Sequence, residues 1–269
     1  KTAYEITDDI SWRKGAHQVG FGANHIHNMM NYASSTSAPG SMAFTATNTG
    51  LALGDFMVGR ANSFGQSRIS GEFYRQNFFS LYLQDTWKAT SHITMNLGLR
   101  WEPFFGIYDA HEKHPFFSRE RFDKGLKSTV FPNAPAGIYF QGEGEIPETL
   151  SMAANHYDHF APRVGLVWDP KGNGLMTVRL AYGIFYDSPH LHQLGGRRDT
   201  PPNGATIPVN SPSFDDPWAS YPGGKSPFPM SLDKNAAFPL NGTYVVAPWN
   251  LKTPYINQWN LSVQRQVGT

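Results

Sequence analysis

The sequence predicts an all-β protein, a fragment of an antiparallel transmembrane β-barrel with about seven to nine strands, short periplasmic turns and long extracellular loops. Three observations predict this fold. Apolar and polar residues alternate with period two in seven segments. The connections between these segments alternate strictly between short and long, and Trp or Tyr residues stand near both ends of the segments.

Each of the seven segments places apolar side chains on one face of an extended chain. The segment ITMNLGLRWEPFFG, residues 93–106, shows the pattern clearly, because Ile93, Leu97 and Trp101 alternate with polar residues and glycine. Such a strand fits either a soluble sheet with a protein core or a membrane barrel with a polar lumen. The seven predicted strands are residues 4–12, 17–28, 76–87, 93–106, 159–169, 177–187 and 255–267.

The lengths of the connections favour the membrane barrel. The short connections are residues 13–16, 88–92 and 169–176, and the long loops are residues 29–75, 107–158 and 188–254. Loops longer than about 15 residues are uncommon in compact soluble domains, whereas outer-membrane barrels have short periplasmic turns and long outer loops. Within the first long loop, we expect residues 42–48 and 68–74 to extend neighbouring strands and residues 51–59 to form a short helix.

Aromatic residues near the strand ends support the same fold. The tryptophans beside short turns are Trp12, Trp87 and Trp168, and the aromatic residues near the long loops are Trp101, Tyr186 and Tyr255. Membrane barrels carry aromatic girdles at both interfaces. Seven is an odd number of strands, whereas single-chain bacterial barrels have an even number. We therefore expect residues 1–269 to be part of a larger barrel domain.

Composition excludes several classes of protein. The net charge of +1 gives no field that would attract nucleic acid. No run approaches the roughly 18 apolar residues of a membrane helix. The chain has no cysteine, which excludes a disulfide framework and thiol catalysis. No catalytic motif is found, so the sequence predicts neither an enzyme nor a bound cofactor.

Three hairpins resemble those of a known family. Residues 80–102, SLYLQDTWKATSHITMNLGLRWE, resemble the hairpin of TonB-dependent outer-membrane receptors, in which a YxQDxW strand leads to an LTLNLGLRYE strand. Residues 159–187 and 253–267 are similar to further hairpins of that family. The loop VFPNAPAGIYFQGEGEIP, residues 130–147, resembles the Oar-like branch, whose members often carry a carboxypeptidase-regulatory-like domain.

The resemblance implies a barrel of about 22 strands with an N-terminal plug and a TonB box. We expect the plug and the N-terminal domains to be absent from these residues. The implied function is binding or transport of an unidentified extracellular ligand in the bacterial outer membrane. The implied partners are outer-membrane lipid and the TonB complex, reached through the N-terminal region. Two alternatives stay open, a non-transporting surface or adhesion barrel and a soluble extracellular carbohydrate-binding or hydrolase β-domain.

Two groups of residues are candidates for the functional site. The polar faces of the strands predict lumen-facing side chains, namely Tyr82, Gln84, Arg100, Glu102, Arg163 and Arg179. These residues either contact a plug or ligand, or line the polar interior with Arg–Glu pairs across neighbouring strands. The third long loop carries aromatic residues that either bind a sugar or peptide or pack the loop on itself, namely Trp218, Tyr221, Phe228, Tyr244 and Trp249.

Two histidine pairs have a spacing that can hold a transition metal. His25 and His27 place two imidazoles on one face of an extended segment, and His190 and His192 repeat the spacing. No cysteine or clear third ligand accompanies either pair. The sequence therefore predicts no metal site, and these four residues are only weak candidates.

Overall fold

One antiparallel sheet forms the body of the computed structural model, which describes residues 1–34, 38–68, 70–189, 194, 196–239 and 244–267. In chain order its elements are β1 (Thr2–Lys14), β2 (His17–Ser34), β3 (Ser41–Ala43), α1 (Ala52–Met57), β4 (Ser63–Ser67), β5 (Ser70–Lys88), β6 (Ile93–Trp101), β7 (Tyr108–Asp109), β8 (Phe116–Phe117), α2 (Arg119–Asp123), β9 (Ile138–Tyr139), β10 (Phe160–Trp168), β11 (Met176–Tyr186), a 3₁₀ helix (Gly196–Asp199), β12 (Thr206–Asn210) and β13 (Tyr255–Arg265). The main sheet has the order β1-β2-β5-β6-β10-β11-β13, with β7 paired to β5. All seven predicted strands are confirmed.

Every neighbouring pair of these strands is antiparallel. β1 and β13, the two edges of the sheet, therefore run in the same direction. An antiparallel barrel cannot close by pairing these two edges with each other, and the sheet is open in the structure.

The short turns all lie at one end of the sheet. Gly15 and Ala16 connect β1 to β2, and Gly15 has a φ of 58°, a conformation that glycine adopts without a steric penalty. In the turn after β10, the Asp169 carboxylate accepts hydrogen bonds from the amides of Lys171, Gly172 and Gly174. The long connections lie at the opposite end, so the predicted alternation of short and long connections is confirmed.

Two strands are longer than the sequence predicts. β2 continues to Ser34 and β5 begins at Ser70, and their pairing runs from His17↔Trp87 to Ser34↔Ser70. The first long loop was therefore predicted too long, whereas residues 68–74 do extend a strand from Ser70 onward. Residues 42–48 do not extend a main strand, because only Ser41–Ala43 is a strand and it belongs to a small separate sheet. At about 3.3 Å per residue, β2 and β5 are long enough to extend beyond an apolar band of about 25 Å.

The register places large apolar side chains on one face of the sheet, which we call the outer face. Leu83 pairs with Leu99, Leu97 with Val164, and Leu180 with Leu261. These side chains are not covered by a protein core; Ile6 is 72% exposed and Trp259 79% exposed. The opposite face, the inner face, is polar, and its side chains form most of the lining of a groove of about 670 Å³.

The long connections pack together into an ordered cap above the sheet. The cap comprises the described residues within 38–68, 102–159 and 187–254. The three-stranded sheet β12-β4-β3 joins the first connection to the third, and β8 pairs with β9 in the second. Residues 51–59 contain the predicted short helix, α1. Among the described residues, no helix is long and apolar enough to cross a membrane.

Four apolar clusters hold the cap together. The first lies where the cap meets the sheet and contains Met30 of β2, Tyr74 of β5 and Ile107. The other three lie within the cap: the second and third combine residues of the second and third connections, and the fourth lies within the third connection. Their buried members are Phe131, Ala134, Ile138, Phe140 and Ala236 in the second cluster, Phe116, Tyr139 and Ile146 in the third, and Ala205, Ile207 and Met230 in the fourth.

Candidate functional site

The six predicted lumen residues lie on the inner face together. Tyr82 pairs with Arg100, and Glu102 follows two positions later on the same side of the chain. Gln84 and Arg163 both pair with Gly98, which lies between them. Arg179 pairs with Val167, which pairs with Thr94, and this row belongs to the same face. The structure therefore places all six residues on one face; that this face lines a lumen and contacts a ligand stays a prediction.

Hydrogen bonds between inner-face residues cross the sheet toward β1. The Tyr82 hydroxyl donates to the Asp9 carboxylate at 2.6 Å. This bond crosses β2 above Gly22, where an added Cβ would come within 2.5 Å of Asp9 Oδ1 and 2.7 Å of the Tyr82 ring. The Asn24 amide likewise donates to Glu5 at 2.8 Å. Glu5 and Asp9 are not among the predicted lumen-facing residues, although they alternate with the apolar residues of β1 in the sequence.

The expected Arg–Glu pairs across neighbouring strands are replaced by a pair within one segment. Arg100 Nε donates to the Glu102 carboxylate two residues further along the chain. In the described part of the molecule, neither Arg163 nor Arg179 has a carboxylate within ion-pair distance. The Arg163 guanidinium instead lies 4.7 Å from the centre of the Phe185 ring. In the described part of the inner face, the side-chain contacts between strands are therefore hydrogen bonds such as Tyr82–Asp9, and not Arg–Glu ion pairs.

A groove of about 670 Å³ lies on the inner face of β5, β6, β10, β11 and β13. Its floor is made of small residues, Gly98, Gly165, Ala181 and Gly183. Its inner-face walls are Gln84, Asn96, Arg163, Phe185, Gln258 and Asn260. Large and small residues alternate across the strands, because Gln84, Arg163 and Gln258 are separated by Gly98 and Gly183 in consecutive pairings. The small residues of the floor therefore leave space for a polar solute between the larger polar side chains of the walls.

The aromatic residues predicted in the third loop pack against the cap. Trp218, Tyr221 and Phe228 surround the cluster of Ala205, Ile207 and Met230, and the Trp218 ring lies 5.4 Å from the Phe64 ring. Tyr244 packs in the second cluster of the cap, and Trp249 lies 5.4 Å from Phe116 in the third. The packing matches the alternative in which the loop packs on itself. Binding of a ligand by these rings stays a prediction.

The histidine pairs do not assemble a metal centre in the described residues. His25 and His27 lie on the outer face of β2, opposite Ile6 and Tyr4, and the His27 ring shares a 2.8 Å hydrogen bond with the Asn77 side chain. His190 and His192 lie outside the described residues. No group of three potential ligands from histidine, cysteine and the acidic residues is found in the ranges that the structure describes.

A buried polar junction, which sequence analysis did not find, joins the second connection to β5. β7 pairs with β5 and brings Asp109 opposite Tyr74. The Asp109 carboxylate accepts hydrogen bonds from the backbone amides of His111 and Glu112. It accepts a third hydrogen bond, 3.0 Å long, from His114 Nε2. Burial alone would raise the pKa of Asp109, but these hydrogen bonds hold it below its ordinary value. Both Asp109 and His114 are inaccessible to solvent.

Burial lowers the pKa of His114, so its ring is neutral at pH 7 even though Asp109 favours the protonated form. Arg197, from the third connection, is buried nearby; its Nη1 donates to the carbonyl of Met152 at 2.7 Å, and burial lowers its pKa to about 10. Polar side chains thus connect the second and third connections within the cap. Their burial and internal bonding indicate a structural role.

Comparison with known proteins agrees with the β fold of the chain. The family described as "Outer membrane beta barrel domain" matches residues 1–269. The chain therefore belongs to the outer membrane beta-barrel domain family, and its location is the outer membrane. No curated protein and no solved structure matches the chain. The soluble β-domain considered as an alternative is wrong, because the apolar face is exposed and the family is an outer-membrane one.

Proposed function

We propose that the chain is the barrel wall and outer cap of a TonB-dependent receptor that binds and transports an extracellular solute. The observation that carries the proposal is the combination of an apolar outer face, a polar inner face and an ordered cap formed by all three long connections. In this proposal the outer face contacts outer-membrane lipid, and the inner face lines the path of the solute. The resemblance of residues 80–102 to the family's YxQDxW hairpin supports the TonB-dependent type.

The proposal assigns energy coupling to the TonB complex, which would be engaged through a segment outside these 269 residues. It includes no catalytic step, no cofactor and no nucleic acid. The Oar-like branch is proposed because of residues 130–147, which contribute Phe131, Ile138 and Phe140 to the cap core.

The experiment that tests this proposal measures TonB binding by the full-length protein extracted from the outer membrane of the native cell. We expect the purified TonB periplasmic domain to bind the immobilised receptor saturably. A matched receptor without its N-terminal segment should lose this binding while its barrel stays folded. Failure of the intact receptor to bind TonB, with the barrel folded, would contradict TonB-dependent transport.

A surface or adhesion barrel is the second candidate, and one observation favours it. The α1 region of the cap exposes apolar side chains, with Leu53 65% and Met57 75% exposed, beside a cluster of Phe44, Phe56 and Phe214. Replacement of Leu53 and Met57 by Ser tests this candidate. Loss of cell attachment to a surface, with unchanged solute uptake, would favour adhesion over transport.

A further inference from the structure

On the inner face, the carboxylates of β1 and the arginines of β10 and β11 lie several strands apart, and β1 also carries Arg13 on this face. The acidic side chains Glu5 and Asp9 lie on β1, where Asn24 and Tyr82 hold them by hydrogen bonds. The arginines Arg163 and Arg179 lie on β10 and β11, three or more strands away. The Arg100–Glu102 pair lies between them and neutralises itself. In the part of the chain that the structure describes, the positive charges of Arg163 and Arg179 therefore have no carboxylate within ion-pair distance.

The groove is lined by hydrogen-bonding groups without a carboxylate pointing into it. Its polar inner-face side chains are the amides of Gln84, Asn96, Gln258 and Asn260, the hydroxyl of Thr86 and the guanidinium of Arg163. Asp85 borders the groove, but its side chain points to the outer face, where it bonds to His17 at 2.6 Å. A bound anion would therefore meet donors and no opposing carboxylate.

Arg163 is held in a position that suits an anionic group. Its guanidinium lies over the Phe185 ring, and a guanidinium stacked on a ring face keeps its in-plane N–H groups directed outward. Those N–H groups form a planar fork that matches the two oxygens of a carboxylate. Side-chain amides on both sides of the fork can bond to hydroxyl or carbonyl groups of the same solute.

We propose that this groove binds a small polar solute carrying a carboxylate, with Arg163 as the anion contact. The inference rests on the proposed transport function, because it identifies the chemical class of the solute that passes along the inner face. The volume of about 670 Å³ lies in the range of small-molecule sites. A solute of two or three sugar or amino-acid units is therefore the expected size.

The test compares two trisaccharides that differ in charge, tri-galacturonate and maltotriose, by calorimetric titration of the full-length receptor in detergent micelles at low salt. We expect tri-galacturonate to bind about tenfold more tightly than maltotriose, and salt to reduce this difference. In Arg163→Gln the difference should disappear. In Arg13→Gln, which removes an inner-face arginine of β1 that β2, β5 and β6 separate from Arg163 on β10, the difference should persist.

A second variant tests whether the solute binds over the floor of the groove. A Cβ added at Gly165 meets Asn96 Cβ at 3.5 Å, an ordinary contact, and we expect the larger side chain of Gly165→Leu to fill the groove. We expect this variant to lose binding of both trisaccharides while it keeps the heat-dependent gel migration of a folded barrel. Equal affinity for the two trisaccharides, no binding of either, or an equal loss in Arg13→Gln would overturn the proposal. TonB binding is measured separately, so failure of either proposal leaves the other testable.

Discussion

The sheet and the cap place their apolar side chains in opposite environments. In the main sheet, Leu83, Leu180 and Trp259 are exposed on the outer face. In the cap, Phe116 and Phe140 are completely buried. In the described part of the chain, the long strands contribute only three residues to the buried apolar core, Met30, Tyr74 and Ala161.

The sheet and the cap are therefore stabilised in two different ways. The cap has a hydrophobic core and depends on side-chain packing, as a water-soluble domain does. The sheet has no such core, so its strands depend on the backbone ladder and on a solvent that accepts apolar side chains on one face. A mutation should therefore destabilise the region to which it belongs and leave the other largely intact.

The largest expected effect is in the cap. Phe140 is fully buried and its ring lies 4.7 Å from that of Phe131. Phe140→Ala should cost about 3–5 kcal/mol of cap stability, because it removes apolar burial and leaves a cavity. Hydrogen exchange should show faster exchange of the cap amides, with unchanged protection in β5, β6 and β10. Loss of protection in the sheet as well would contradict the independence of the two regions.

The next effect is on the outer face. Leu97 lies midway along β6, so Leu97→Arg should cost about 2–4 kcal/mol of the unfolding free energy in lipid. Asn96→Arg places the same charge on the adjacent inner-face position and should cost much less, since that face is polar. Urea titration of the two variants in liposomes measures both values. Equal costs for the two substitutions would contradict the assignment of the faces.

A smaller effect is expected from pH in the cap. The folded-state pKa of His114 is lowered, so as pH falls below about 6.5 the unfolded cap takes up a proton that the folded cap excludes. Cap stability should therefore fall on acidification, with a slope of up to about 1.4 kcal/mol per pH unit. The lowered pKa of Asp109 causes a further loss only below about pH 4.

The control for this pH effect is His114→Gln, which removes the titrating ring. Protease cleavage of the cap between pH 7.5 and 5.5 should rise in the unsubstituted chain and depend much less on pH in the variant. The same rise in both proteins would show that another group is responsible.

The smallest effect is expected in the first turn. Gly15 has a positive φ and open space around its Cβ position, so Gly15→Ala introduces backbone strain without a clash. We expect a cost of about 1 kcal/mol in the unfolding free energy. Gly174→Ala, at a similar φ of 73° with equally open space, is a matched comparison in the turn between β10 and β11. No change in either variant would argue that these turns do not contribute to sheet stability.

The sequence predicts the membrane part of the sheet well, because apolar residues alternate with polar residues and glycine from Ile93 to Trp101. The same alternation holds from Tyr4 to Trp12, except that Asp8 stands on the apolar face. The predicted ends of β2 and β5 near the cap are wrong for a physical reason. The inward positions of β2 and β5 change from polar residues such as Asn24 and Ser80 to the apolar Met30 and Tyr74, which pack under the cap. A search for a constant alternation therefore ends these strands too early.

The candidate site was predicted only where it follows from strand alternation. The lumen-facing residues Tyr82, Gln84, Arg100 and Arg163 follow directly from that alternation. The contacts of the cap do not, since Phe116 meets Trp249 and Asp109 meets His114 through loop folding that leaves no periodic signal. The third-loop aromatics were recognised as a group, but composition alone did not decide between packing and ligand binding.

The central claim is that the outer face meets lipid while the inner face lines a polar lumen. The chain contains no cysteine, so single-cysteine variants at Leu97, Gly98 and Leu99 can each carry one spin label. In liposomes, we expect oxygen to relax the labels at Leu97 and Leu99 more strongly, and a water-soluble nickel complex to relax the label at Gly98. Uniform accessibility along the three positions, or the reverse alternation, would contradict the account.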